Sequence, residues 1–402
     1  MTTADALHLK SAAKSSMKAQ RYLAIVLLAI LMLPSPLLAQ GLYEEARLSF
    51  NGFGTLGVVY NDTEEADFVR DISQPEGVDG WSARADSLLG AQLGLRISEK
   101  WDATIQAVSH YHYGNEYTPE LTWAFLRYSP DPAAQFRVGR LGWDVYMLSD
   151  ARHVGYAYLW ARPPVDHFGI LQLGYIDGAD IVLKYPLGKG LAWVKFYAGH
   201  SRETLLFDND FRAELETSQL AGGHINYEAG PWRFRMGYTS FKTDSHFSGD
   251  YVDSLARVLP LDIDALLSEG FGFERFQFFS LGAAYEKGPL QVQAMWNTTS
   301  LADESGDIES GFVSAGYRLG NVTPFVMVSQ TESRALKETF DFGYRQATYS
   351  AGLRYDFVAN LALKAQMDSI DVEEPGLLWR NRVTGWNGGR VTLFSLGLDF
   401  VF

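Results

Sequence analysis

The stretch Arg390–Phe402 (RVTLFSLGLDFVF) decides the fold, because apolar and other residues alternate along it. Its apolar row consists of Phe394, Leu396, Leu398, Phe400 and Phe402. This period of two predicts a β-strand with one apolar face. Exposed at the edge of a soluble sheet, such a row would promote aggregation, whereas on a membrane β-barrel it faces lipid. On this segment alone, a last strand of a soluble sheet remains the alternative.

The N-terminal segment has the pattern of an export signal. Lys18 and Arg21 precede the apolar run Tyr22–Leu33, and a small residue, Ala39, ends the segment. We predict a signal peptide over residues 1–39, with Met17 as an alternative true start. The apolar run is shorter than the roughly 20 residues of a membrane-spanning helix. The mature chain, residues 40–402, is then a single outer-membrane barrel domain.

Composition excludes several functions of the 402-residue chain. It has no Cys, so disulfides, thiol catalysis and thiolate metal sites are excluded. The formal net charge of −14 argues against nucleic acid as a partner, because phosphate binding needs clustered Lys and Arg. No phosphate-binding glycine loop or nucleophile elbow is present, so we expect no cofactor and no enzymatic activity.

Short turns and long connections alternate along the chain, as in an antiparallel membrane barrel. Residues 61–83, 143–172, 202–214, 243–273, 334–344 and 371–389 form the long connections. The pattern predicts an all-β, transmembrane antiparallel β-barrel of about sixteen strands. The strands are predicted at 47–60, 84–98, 101–113, 119–129, 134–142, 173–186, 190–201, 215–228, 231–242, 274–286, 289–300, 309–319, 322–333, 345–357, 360–370 and 390–402.

Tyrosine recurs just before the short turns. The positions are Tyr128, Tyr185, Tyr227, Tyr285, Tyr317 and Tyr355. An amphipathic ring is suited to the boundary between membrane and water, so we interpret this set as an aromatic girdle. Ordinary β-propensity of Tyr is the alternative.

Polar residues occupy the phase opposite the apolar row and are predicted to face the lumen. The basic members are Arg233, Arg235, Arg318, Arg354 and Lys364. Sixteen strands enclose an aqueous channel rather than a packed core. These side chains are interpreted as a hydrated wall, and a basic ladder that orients solutes by charge is the alternative.

The long third loop, residues 143–172, is rich in aromatic residues that need a surface to pack against. We predict that it folds into the lumen. Its charged and imidazole side chains would then form the pore constriction, namely Asp144, Asp150, Arg152, His153, Arg162 and Asp166. Charges of both signs at a narrowing control the size and charge of permeating solutes. A loop that packs on the outer mouth is the alternative.

Several of these features resemble the Gram-negative general porins. The similarity lies in the Gly-rich first strand Asn51–Tyr60 (NGFGTLGVVY), the long third loop, sixteen strands and a terminal Phe. Gly139–Val165 (GRLGWDVYMLSDARHVGYAYLWARPPV) is similar to a porin-like subgroup in proteobacteria. The resemblance implies a homotrimer of water-filled barrels in the cell outer membrane. The family's acidic loop cluster is only partly matched, since Arg152 and Arg162 are mixed with the acids.

The leading functional hypothesis is passive diffusion of small hydrophilic solutes and ions. The alternatives are a substrate-specific channel with a binding constriction and, more remotely, a barrel enzyme such as a lipid hydrolase. The expected partners are the lipid bilayer, lipopolysaccharide, and the barrel assembly machinery, with Phe402 as its recognition signal. His110 and His112 could share a metal ion, but no third ligand is identifiable and we predict a hydrated pair.

Overall fold

A computed structural model describes residues 48–113, 117–169, 174–208, 211–249, 252–254, 257, 275–301, 307–333 and 343–402. The predicted signal peptide, the predicted mature start at Gln40 and the end of the third loop lie outside these residues. Within them, Ser49–Phe402 belongs to one compact unit.

Sixteen long strands make up the wall of the molecule. They are β1 (Leu48–Asn61), β2 (Leu88–Arg96), β3 (Trp101–His110), β4 (Glu120–Asp131), β5 (Ala134–Gly142), β6 (Tyr175–Leu187), β7 (Gly190–Asp208), β8 (Phe211–Ala229), β9 (Trp232–Ser248), β10 (Phe276–Lys287), β11 (Leu290–Leu301), β12 (Asp307–Tyr317), β13 (Val322–Ser333), β14 (Tyr344–Val358), β15 (Leu361–Glu374) and β16 (Gly389–Val401). The prediction of an all-β chain with about sixteen strands is confirmed.

The strands close into an antiparallel barrel. Each pairs with its neighbour in sequence, and β16 pairs antiparallel with β1, from Phe53 opposite Val401 to Asn61 opposite Leu393. The terminal residue continues this seam, since Gly52 and Phe402 exchange backbone hydrogen bonds of 2.8 and 2.9 Å. The apolar C-terminal strand therefore has no free edge, because closure satisfies its backbone groups.

Side chains alternate between the two faces of the wall as the sequence predicts. In β15, Leu363 and Met367 are each 47% exposed on the outside, whereas Lys364 and Asp368 are at most 3% exposed on the inside. Apolar surface on the outside matches a hydrocarbon solvent, and the polar phase turns to the interior.

Tight turns join the strands at one end of the barrel. Gly188 and Gly230 occupy two of these turns with φ of 59° and 57°, a conformation that costs Gly little and other residues more. Tyr185 of β6 and Tyr317 of β12, each at the strand end that precedes a short turn, are 70% and 49% exposed. Their exposure fits the expected aromatic girdle.

The prediction of a long connection over residues 202–214 is wrong. Strands β7 and β8 remain paired there, with Thr204 opposite Glu214 and an ion pair of 2.8 Å between Arg202 and Glu216. Strand β9 likewise continues to Ser248, beyond its predicted end at 242. Polar residues are tolerated in these strand extensions because backbone pairing does not require an apolar face.

Helical structure in the third loop is brief. It consists of two 3₁₀ turns, Ser149–Ala151 and Gly155–Ala157, and the four-residue helix α1 (Val165–Phe168). Among the described residues, no helix has the length and apolar character needed to cross a membrane.

Candidate functional site

The third loop lies inside the barrel, against the inner wall. Three basic side chains of the wall hold its backbone, and all three belong to the predicted basic lumen set. Arg235 donates to the carbonyls of Asp144 and Tyr146, at 3.2 and 2.9 Å. Arg354 donates to the carbonyls of Tyr156 and Tyr158, at 2.8 and 2.7 Å. Lys364 donates to the carbonyls of Gly155 and Trp160, at 2.7 and 2.8 Å. These residues therefore position the loop, which was neither of the two roles considered from sequence.

The start of the loop is anchored by Asp144. Its carboxylate accepts a hydrogen bond of 2.6 Å from the Lys195 ammonium and contacts the His224 imidazole at 3.0 Å. Burial would raise the pKa of Asp144, but Lys195, His224 and Arg235 hold this pKa well below its ordinary range. Asp144 is therefore an ionised, buried anchor on β7 and β8.

Arg162 anchors the loop on the opposite side of the lumen. Its guanidinium donates to Asp86 at 3.1 Å and to Asp368 at 2.8 Å, and it lies 4.8 Å from the centre of the Phe68 ring. Only 2% of this side chain is exposed. Two carboxylates and an aromatic face compensate the buried charge, as a charge removed from water requires.

Helix α1 carries a third anchor. Asp166 is fully buried and accepts hydrogen bonds of 2.5 Å from Ser329 and Gln346. Burial raises the pKa of Asp166, although these hydrogen bonds oppose the shift. The neighbouring His167 lies near Asn297, and burial lowers its pKa to about 3, so its imidazole is neutral.

A buried aromatic core fills the space between the loop and the wall. Loop residues Trp143, Tyr146, Trp160 and Phe168 are each at most 8% exposed. They pack on inward-facing wall residues, including Tyr197, Phe241, Phe278, Met295, Phe312, Phe325 and Met327. The sequence interpretation missed this apolar patch because it treated the lumen phase as uniformly polar. The inward phase of β9, β10, β12 and β13 contains these Phe residues, and this was the available signal.

The other face of the loop borders a cavity of about 460 Å³. Asp150, Arg152 and His153 line it from the loop, and Asp150 is exposed. Strands β3 to β8 provide the opposite wall, with polar residues that include His110, Gln106, Glu120, Thr122, Arg140, Glu203 and Glu214. We call this space the chamber. Its volume is that of a small-molecule site, and its polar lining is suited to water and hydrophilic solutes.

Ion pairs and ring contacts organise the charges of the chamber. His110 lies 3.2 Å from Glu120, and its ring stacks on His153 with centroids 5.1 Å apart. Arg140 pairs with Asp177 at 2.6 Å and covers the Tyr175 ring at 3.7 Å. Charges of both signs therefore face the same space, as at a constriction that acts on permeating ions.

The structure divides the six residues predicted for the constriction into two groups. Asp150, Arg152 and His153 lie together in the chamber. Asp144, Arg162 and Asp166 are instead buried on the side of the loop that contacts the wall. Their charges have partners in the wall, and this is why they do not face open space.

The remaining predicted residues lie at one end of the closing seam and at the rim beside the short turns. Arg233 and Arg318 lie near Glu286, at 3.7 and 4.0 Å, beside the short turns and away from the chamber. The Phe402 ring covers Gly52, where a Cβ would be 2.1 Å from the ring. Among the described residues, no group of three His or acidic side chains is arranged to hold a metal ion.

Comparisons with known proteins were made on sequence and on structure. No protein-family model and no curated protein matches the sequence. Among solved structures, OmpF of Salmonella typhi in complex with daunomycin aligns with a TM-score of 0.56 and 12% identity, over 88% of this chain and 97% of that one. The anion-selective porin from Comamonas acidovorans aligns with a TM-score of 0.52 and 14% identity, over 88% and 100%.

A third structure is the in-vitro folded OmpT, an outer membrane protein of Vibrio cholerae. It aligns with a TM-score of 0.53 and 10% identity, over 90% of this chain and 99% of that one. At such identities the likeness concerns the fold alone. The chain therefore shares the closed sixteen-stranded fold of porins and other outer-membrane barrels.

Proposed function

We propose that this protein is an outer-membrane channel of a Gram-negative bacterium, through which small hydrophilic solutes and ions diffuse. The polar chamber beside an anchored loop, inside a barrel with an apolar exterior, is the observation that carries the proposal. An apolar exterior requires lipid around the barrel, and a charged interior of this volume requires water. The passive nature of transport and a homotrimeric assembly are part of the proposal.

The anchoring of the loop supports a permanently open rather than a gated channel. Arg235, Arg354 and Lys364 hold its backbone, and a buried aromatic core supports its other face. A well-packed segment of this kind does not move far without losing many contacts at once. The chamber should therefore keep its dimensions across membrane voltages.

Planar-bilayer recording tests the proposal. Purified, folded protein should insert with stepwise conductance increments and a linear current–voltage relation, and increments in groups of three would support the trimer. Heat-modifiable migration on gels verifies that the sample is folded. Folded protein that inserts without conductance would refute the channel function.

A substrate-specific channel is the second candidate, and the composition of the chamber favours it. Three imidazoles, those of His110, His112 and His153, lie with Arg152 and Glu120 in one small cavity. A cluster so varied could bind one solute by several contacts. Saturable block of ion current by a single solute, absent with isomers of the same size, would select this candidate over simple diffusion.

A further inference from the structure

Two outer loops join into one substructure above the lumen. Asp67–Phe68 of the first outer loop pairs antiparallel with Trp379–Arg380 of the last outer loop. A backbone hydrogen bond of 3.0 Å from Val69 to Leu378 extends this pairing. We call residues 66–78 and 376–381 together the strap.

The strap is packed as firmly as a protein core. Phe68, Val69, Ile72, Val78, Leu378 and Trp379 are all at most 3% exposed. They form a single cluster with Val165 of the third loop and with Ile370 and Leu393 of the wall. Trp379 also donates to Gln346, which in turn donates to Asp166 of helix α1. The strap and the third loop are therefore parts of one packed unit.

The strap reaches from one side of the barrel to the other. It departs from β1, β15 and β16, and its far end contacts Leu206 of β7. Strands β7 and β16 are seven positions apart in one direction around the ring and nine in the other, so they stand almost opposite each other. A contact between them through the strap must cross the outer mouth.

Arg380 makes the contact on the far side. Its Nη2 donates to the Leu206 carbonyl at 2.6 Å and to the Ile72 carbonyl at 3.4 Å, and only 2% of the side chain is exposed. The Leu206 amide donates in turn to the Ile72 carbonyl at 3.3 Å. One guanidinium therefore ties both segments of the strap, residues 66–78 and 376–381, to β7.

We propose that Arg380 is a specificity-determining residue, which fastens the strap across the outer mouth and thereby sets the upper size limit of the solutes that enter. The inference rests on the proposed channel function. Arg70, Asp71 and Ser73 of the same loop line the chamber below, so every solute in the chamber passes beside the strap. We expect the strap to select solutes by size rather than by charge, because the Arg380 guanidinium is buried in hydrogen bonds to backbone carbonyls and does not face the solute.

The test compares Arg380→Met with Arg382→Met. Methionine retains the aliphatic length but lacks the donors, and Arg382 is an exposed neighbour that donates only locally, to Pro375. Liposome swelling would be measured with arabinose, glucose, sucrose and raffinose. The ratio of the raffinose rate to the arabinose rate should be several-fold higher for the Arg380 variant than for the wild type. The same ratio should be unchanged for the Arg382 variant. A folded Arg380 variant with the wild-type size profile overturns the inference.

A cross-link provides a second test that does not depend on removing Arg380. The chain has no Cys, so Ile72→Cys with Leu206→Cys introduces the only thiols. In folded protein, a short bis-methanethiosulfonate reagent, which joins two thiols through reducible disulfides with loss of methanesulfinate, should cross-link the pair and leave the size profile unchanged. Added to Arg380→Met, the same cross-link should restore the wild-type limit, and reduction should release it. Absence of cross-linking in folded protein, or no restoration, contradicts the inference.

The two proposals fail differently in these experiments. If wild-type liposomes do not swell even with arabinose, the channel function itself fails. If they swell with arabinose, and neither the substitution nor the cross-link changes the size profile, only the role of Arg380 fails.

Discussion

The Lys195 ammonium of strand β7 lies 2.6 Å from the Asp144 carboxylate at the start of the third loop. Lys195 also lies 3.0 Å from Asp180, a buried carboxylate that Arg137 pairs with as well. The pair connects the loop to the wall where it leaves β5. The chamber exists only if the loop stays on that wall, and this ion pair holds the start of the loop there.

Replacing Lys195 with Met should destabilise the folded barrel by about 3–5 kcal/mol, because the buried Asp144 carboxylate loses its nearest cation. Urea titration, followed by loss of heat-modifiable gel migration, measures the change. Lys189→Met in an exposed short turn is the matched control and should behave as the wild type does. Equal stability of the two variants would show that the ion pair does not hold the loop.

Acid should weaken the Asp144 anchor only at low pH. The pKa of Asp144 is lower in the folded protein than in the unfolded chain. Its stabilisation is therefore complete above the unfolded value of about 3.9 and is lost as the pH falls through the lower folded value. The difference in unfolding free energy between wild type and Asp144→Asn should be constant from pH 8 to about 5 and shrink below about 4. A difference that already shrinks near pH 6 would contradict this assignment.

Two arginines of the third loop should behave differently when they are replaced. Arg152→Ala removes a positive charge from the chamber, so the reversal potential in a salt gradient should shift toward cation selectivity. Arg162→Ala leaves Asp86 and Asp368 buried without their shared cation, so the yield of folded barrel should fall. An unchanged reversal potential for Arg152→Ala would remove that residue from the ion path.

Deleting Phe402 should reduce the amount of assembled barrel. The residue exchanges two backbone hydrogen bonds with Gly52 across the closing seam, and its ring contacts Phe400 and Phe50. Phe402→Trp keeps the main chain and an aromatic ring, so it should assemble almost as well as the wild type. Quantitative gels of outer-membrane fractions at low expression compare the three proteins, and equal amounts would refute a role in assembly.

Much of the fold is encoded locally and could be predicted. The alternation of Leu363 and Met367 with Lys364 and Asp368 determines which face of β15 meets lipid, whatever its neighbours are. The sequence did not predict that β7 continues to Asp208 and that β8 begins at Phe211. These extensions are stabilised by contacts between the two strands, such as the ion pair of Arg202 with Glu216. No periodicity in either segment alone contains that information.

The chamber was predictable only in part, because proximity across the barrel determines each residue's role. Arg235 and Lys364 donate to loop carbonyls, and no sequence pattern specifies these partners. Arg162 and Asp150 have the same kind of sequence context, because each is a charged residue within the aromatic-rich third loop. Only the positions of Asp86 and Asp368 distinguish the buried anchor from the residue that faces water.

Cysteine modification tests the central claim most directly, namely that ions pass through the chamber beside the anchored loop. Asp150→Cys introduces a single thiol on the exposed face of the loop, and Ser98→Cys places one in an exposed turn as a control. During single-channel recording, a bulky charged methanethiosulfonate reagent should reduce the conductance of the Asp150 variant and leave the control unchanged. If mass spectrometry shows complete modification at position 150 while the conductance stays the same, ions do not pass through the chamber.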